Sequence, residues 1–131
     1  GKEAGKILKQ RFLRQTPALL RLKQDIESRV EKQGHLKGLD GRYLHIRSMH
    51  SALNTLLQSA GALLVKQATV FLYEELTEQG YVWGDDWSLV AHIHDELQIQ
   101  VKEGLEDVIA PIAVRCFERA GEHFNFRCPI T

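Results

Sequence analysis

The sequence holds too few cysteines to build a disulfide or zinc framework. Cys116 and Cys128 are its two cysteines. They form no CxxC pair, so both are expected to be reduced and structural. Long apolar runs are also missing. No segment approaches the roughly 18 uncharged apolar residues of a membrane span, and no charged-then-apolar leader precedes a small-residue cleavage site. No internal repeat and no low-complexity linker divides the chain. These absences leave a soluble protein of the cell interior as the expectation, with one domain around one core.

What is present is an ordinary globular composition, 44% hydrophobic and 26% charged over 131 residues. The formal net charge of zero hides an asymmetry. Residues 1–50 carry 12 Lys/Arg against 5 Asp/Glu, a balance of +7, and residues 51–131 carry 5 against 12, a balance of −7. A basic half can neutralise phosphates and an acidic half can hold divalent cations. Solvated helix faces would give the same count.

The segment "GKEAGKILKQRFLRQ" places Ile7, Leu8, Phe12 and Leu13 among cations, the pattern of a basic helix or the tail of one. It starts without a cap, so Gly1 reads as a cut end. Thr16-Pro17 predicts an N-cap followed by a first-turn proline, opening a second helix that runs to Gly34. Asp40-Gly41 predicts a two-residue type I′ turn in a hairpin over about residues 36–47. A long helix follows, with Leu53, Leu56, Leu57, Ala60, Leu63, Leu64, Ala68, Phe71 and Leu72 at helical spacing and Gly80 as its stop. Residues 104–123 predict a last helix, with Pro111 expected to kink it or delay its start. "FNFRCPIT" predicts a closing strand that stops abruptly, so Thr131 also reads as a cut end.

Residues 89–101, "LVAHIHDELQIQV", predict a second hairpin. Pairing Ile93 with Leu97, Ala91 with Ile99 and Leu89 with Val101 sets apolar against apolar. It sets His92 against Gln98 on the other face and leaves His94, Asp95 and Glu96 as the loop. A slip that sets Ile93 against Glu96 and His92 against Leu97 mixes the faces and is disfavoured on that ground. The three-residue loop has no glycine for its left-handed position, so a strained turn is expected.

Three constellations carry chemistry. A carboxylate at a hairpin tip beside a second one, Asp95 with Glu96, suits Mg²⁺, which takes a few hard oxygen ligands plus substrate phosphates. Aspartate in a turn also forms for local hydrogen-bonding reasons. His92 and His94, two apart, raise a zinc site and hence a zinc hydrolase, but no further His or Cys stands at a matching spacing. His50, Asn54 and Gln58, spaced by four, form a polar stripe opposite the leucines, continued by Gly61 and Ala62, where another chain could approach closely. Such amides can reach minor-groove acceptors, which every correct base pair presents in nearly the same places. A solvated helix face would look the same.

The run "GLDGRYLHIRSMHSALNTLLQSAGALLVK" followed by "HIHDELQ" resembles the C-terminal palm region of family A DNA polymerases of the bacterial polymerase I type, and more closely their short-tailed bacteriophage branch. "GKEAGKILKQRFLRQTPAL" and "EHFNFRCPI" extend the resemblance over nearly the whole chain. Single-subunit RNA polymerases are similar but usually have serine where Glu96 stands, which argues for DNA. The resemblance implies an α+β fold, long helices packed on a small antiparallel sheet built from β-hairpins. Residues 1–131 would be one palm-region domain, with basic helices over 1–34 leading from the fingers and a palm core over 35–131.

Residue by residue, the resemblance makes Asp95 a ligand of two catalytic Mg²⁺ ions and Glu96 its acidic neighbour. It places His94 near the primer 3′ terminus and Asn54 and Gln58 in the minor groove. Relatives often have arginine where His50 stands, so His50 is a less direct match, and Arg47 would lie near phosphates. Lys6 and Arg11 receive no assignment. The family's first metal-binding aspartate, its nucleotide-gripping fingers helix, the thumb and any proofreading domain match nothing here, so the 131 residues alone are expected not to polymerise. The implied partners are primer-template DNA, deoxynucleotide triphosphates and a possible processivity factor outside this region, with no membrane. The implied setting is the bacterial cytoplasm, with a phage or prophage origin. A non-catalytic nucleic-acid-binding domain is the competing reading.

Overall fold

A computed structural model describes residues 1–93 and 96–130. The order is α1 (Lys2–Gln15), α2 (Pro17–Gln33), β1 (His35–Lys37), β2 (Tyr43–His45), a 3₁₀ turn (Met49–Ser51), α3 (Ala52–Glu78), β3 (Trp87–Ile93), β4 (Glu96–Val101) and α4 (Glu106–His123). The class is α+β, as expected, with each hairpin forming its own two-stranded antiparallel sheet. The chain divides into two compact units, residues 1–59 and 60–131, with the division inside α3.

In the first unit, Pro17 opens α2, where its missing N–H costs nothing. Thr16 does not cap α2 with its side chain. Its hydroxyl and N–H both donate to the Phe12 carbonyl, at 2.9 and 3.1 Å, so the expected cap closes α1 instead. Gly34, left-handed at φ 72°, ends α2 through a 2.8 Å bond to Val30 O. The first hairpin differs from expectation. Its loop is Leu39-Asp40-Gly41, closed by Gly41 N–H to Gly38 O and Gly38 N–H to Arg42 O. Gly41 has φ 82°, whereas Asp40 does not have positive φ. A type I′ turn needs positive φ at both positions, so the geometry is the three-residue loop with one left-handed glycine. Ile26, Leu36 and Ala52 are buried together, with Val30, Leu44, Ile46, Leu53 and Leu56 packed on them. No residue of α1 is buried.

In the second unit, Leu72 and Leu76 of α3 meet Trp87, Ile109, Ile112 and Cys116. Each fully buried aliphatic side chain of this kind contributes about 1.5–3 kcal/mol. Gly80, at φ 88°, stops the helix as expected, with Gly80 N–H on Thr77 O and Tyr81 N–H on Leu76 O. The hairpin register is not the expected one. Trp87 pairs with Val101 and Leu89 with Ile99, then a bulge at Val90 shifts the count, and Ala91, His92 and Ile93 face Gln98, Leu97 and Glu96. The slip disfavoured on sequence grounds is thus the one adopted beyond the bulge. Ile93 is 49% exposed and Val90 62% exposed, so mixed faces cost little there. Glu96 belongs to β4 instead of the loop.

The last helix runs through Pro111 without a late start. The expected closing strand is absent among the described residues. Phe124, Asn125 and Phe126 spend their N–H groups on the carbonyls of Ala120, Glu122 and Gly121, and Asn125 turns left-handed at φ 55°. This turn leads the tail back over α4, where a Cβ on Gly121 would come within 2.7 Å of Ile130 Cγ1. Met49–Glu78 is long and apolar enough to cross a membrane by length and composition. Its polar positions had broken the apolar run in the sequence. Its most apolar window is 17% buried, and Ala52, Leu72 and Leu76 of this helix are core residues.

Candidate functional site

The residues singled out in the sequence fall into two sets, one in each unit. In the first unit, Asn54 and Gln58 are exposed one turn apart on the opening turns of α3. Leu57, 57% exposed, lies beside them. Gly61, farther along α3 and already in the second unit, is also exposed, with open space where a Cβ would be. His50 precedes α3 in the 3₁₀ turn and lines an apolar groove of about 250 Å³ with Phe12, Leu13, Leu19, Ile26 and Leu53. Arg47 is exposed between β2 and that turn.

The first hairpin loop closes against α3 next to Gln58. A Cβ on Gly38 would stand 3.4 Å from Ser59 Oγ and 3.2 Å from Asp40 Oδ1, so the loop and the helix are close there. Asp40 accepts from the Arg42 backbone N–H and from Arg42 Nε, which ties the loop together. Residues 51–59 carry no charged side chain, so the whole +7 balance of the first half belongs to this unit. An exposed pair of amides in a unit with this cationic excess can hydrogen-bond base edges while the unit's lysines and arginines neutralise phosphates.

In the second unit, β3 and β4 bring Ile93 opposite Glu96. His94 and Asp95 lie outside the described residues. Glu96 is exposed, and its Oε1 accepts from Gln98 Nε2 at 3.4 Å. His92 is exposed on β3 opposite Leu97. Among the described residues no three His, Cys, Asp or Glu side chains are grouped to hold a metal ion. One exposed carboxylate is too small a donor set for Mg²⁺, so the described residues do not by themselves fit that ion, and they supply no third ligand for the zinc reading.

Sequence reasoning passed over the charge cluster that joins α3 to α4. Glu75 receives Arg119 Nη1 at 2.7 Å and Arg115 Nη2 at 3.2 Å. The Arg119 guanidinium also stands 4.6 Å from the Phe71 ring centre. The fully buried Cys116 thiol lies 3.7 Å from Glu75 Oε2. Burial first, then the Glu75 charge, push this thiol up from 9.0 to about 11. The available signal was the pair Arg115 and Arg119, one turn apart on one face of α4.

Residues 1–131 match the sequence pattern of DNA polymerase family A. The DNA-directed DNA polymerase of Enterobacteria phage T3 is 42% identical over 98% of this chain and 21% of its own length. That of Escherichia phage T7 is 41% identical over the same shares. DNA polymerase I of Aquifex aeolicus is 25% identical over 98% of this chain and 22% of its own length. The chain therefore spans about a fifth of these curated relatives. The fold is shared with the POL domain of Pol1 from M. smegmatis, solved in complex with DNA primer-template and dNTP. The TM-score is 0.79 at 18% identity, covering 92% of this chain and 23% of that one.

Proposed function

This chain belongs to DNA polymerase family A, and from that premise we propose that it is the C-terminal palm region of a longer DNA-directed DNA polymerase. That polymerase adds deoxynucleotides to a primer 3′ hydroxyl along a template. The observation that carries the reading is the exposed Asn54–Gln58 pair on the opening turns of α3, in the unit that holds the cationic excess. Amide donors there meet minor-groove acceptors whose positions do not depend on sequence. Arg47 and the surrounding cations hold phosphates, and His50 takes a position beside the duplex. His94 lies near the primer terminus.

Asp95 with Glu96 forms this chain's share of a Mg²⁺ site that residues outside the chain complete. Bound divalent ions supply charge neutralisation for phosphoryl transfer in such enzymes. What this chain's own residues do is orient the duplex and supply the Asp95 and Glu96 carboxylates. The working partners are primer-template DNA and deoxynucleotide triphosphates, with a processivity factor engaging outside this region. The setting is the bacterial cytoplasm, and the origin a phage or prophage.

The test is primer extension by the polymerase that contains this chain, comparing Asp95→Ala with the parent at matched primer-template occupancy. Extension lost with binding kept is the expected result. Extension kept would make Asp95 a turn residue and remove the metal-site assignment.

A further inference from the structure

The face of the second unit that carries Tyr73 and Trp83 has no role in the reading above. Tyr73 is 50% exposed, Trp83 49% and Val82 52%, and Val70, one turn before Tyr73 on α3, is 47% exposed. The rings are held in place. Trp83 meets the buried Trp87 at 4.7 Å and 82°, and Tyr73 lies 5.9 Å from Trp83 and 6.2 Å from Trp87. Ring order of this kind is set before binding, which lowers the ordering cost of an interface, and Tyr and Trp are the residue types on which interface energy concentrates.

Two ligand classes use exposed aromatic platforms. Single-stranded nucleic acid stacks bases on them but needs a cationic groove for its backbone. This platform lies in the unit whose balance is −7. Glu74 shares the helix face of Val70 and Tyr73, and Glu78 and Asp85 are exposed close by in sequence. Lys102 offsets Asp86 at 3.5 Å, whereas Glu74, Glu78 and Asp85 have no ion pair among the described residues. Such a surround repels phosphates and attracts cations. We propose that the Tyr73–Trp83 face docks a separate protein, through a segment that sets an apolar side chain on the rings and places flanking lysines or arginines against these carboxylates.

The experiment uses a fluorescein-labelled helical peptide with leucines on one face and lysines flanking them. It is titrated against the 131-residue chain and against the polymerase that contains it. Binding to both is expected, weakened about tenfold or more by Trp83→Ala. The triple variant Glu74→Gln, Glu78→Gln, Asp85→Asn leaves the rings untouched and covers the case in which Trp83→Ala disturbs folding. It is expected to weaken binding and flatten its salt dependence. Equal binding of the peptide with glutamates in place of lysines would overturn the proposal, as would preferential binding of oligothymidylate. Binding to the chain but not to the longer polymerase would show that the polymerase covers this face itself, and self-association abolished by Trp83→Ala would assign the face to a second copy. Either result also overturns the proposal.

Discussion

At the scale of single residues, exposure and burial divide the side chains by task. Asn54 and Gln58 face solvent, so replacing either by alanine removes donors without opening a core. Each change should lower incorporation from a matched primer terminus by about tenfold, the equivalent of one well-made hydrogen bond. It should narrow the gap between matched and mispaired termini, both read by single-turnover kinetics of the longer polymerase. Cys116 is the opposite case, fully buried and held neutral. Its thiol is pushed up to about 11, so the unfolded chain ionises first as pH rises. The stability that neutrality confers is complete below about pH 9 and is lost on the way to about pH 11. The loss amounts to about 2–3 kcal/mol at about 1.4 kcal/mol per pH unit. Urea midpoints at about pH 8 and about pH 10.5 should converge in Cys116→Ala relative to the parent.

At the scale of elements, the glycines that end helices and turns do what their backbone angles require. Gly41 at φ 82° carries the first hairpin loop. Gly41→Ala should cost about 1 kcal/mol, because alanine pays for the left-handed backbone that glycine adopts freely. Thermal unfolding of the variant checks this. Helix ends were legible in the sequence, since Pro17, Gly34 and Gly80 act through local backbone chemistry. Both hairpins were legible as hairpins but not in their geometry. Asp40-Gly41 suits more than one loop length, and the deciding bond, Gly38 N–H to Arg42 O, lies outside the dipeptide. The second register turned on one extra residue, Val90, whose side chain looks like any other strand valine. The tail alternates like a strand, yet Gly121 lets Ile130 pack on α4 and no partner strand is at hand among the described residues. Of the candidate site, the exposed one-turn spacing of the amide pair and the presence of the hairpin were readable from the sequence. The Glu75–Arg115–Arg119 cluster was not, because its members are 40 and 44 residues apart.

At the scale of the whole molecule, the charge asymmetry and the division into units coincide, with the cationic excess in residues 1–59 and the anionic excess in 60–131. On the proposed function, added salt should weaken primer-template binding by the polymerase that contains this chain, through the first unit's cations. The division falls inside α3, which gives Ala52 to one core and Leu72 and Leu76 to the other. Both tryptophans belong to the second unit. Intrinsic fluorescence is thus a reporter for one half of the chain, whereas far-ultraviolet dichroism sums the helices of both. Shared helical hydrogen bonds favour all-or-none melting, so the two signals should trace one curve. Gly61 stands just past the division, exposed and with open space where a Cβ would be. Gly61→Ala should add up to about 1 kcal/mol and move both curves together. Separate curves would mean that each half carries its own melting point, and a thermal shift read from tryptophan alone would then report on half a protein.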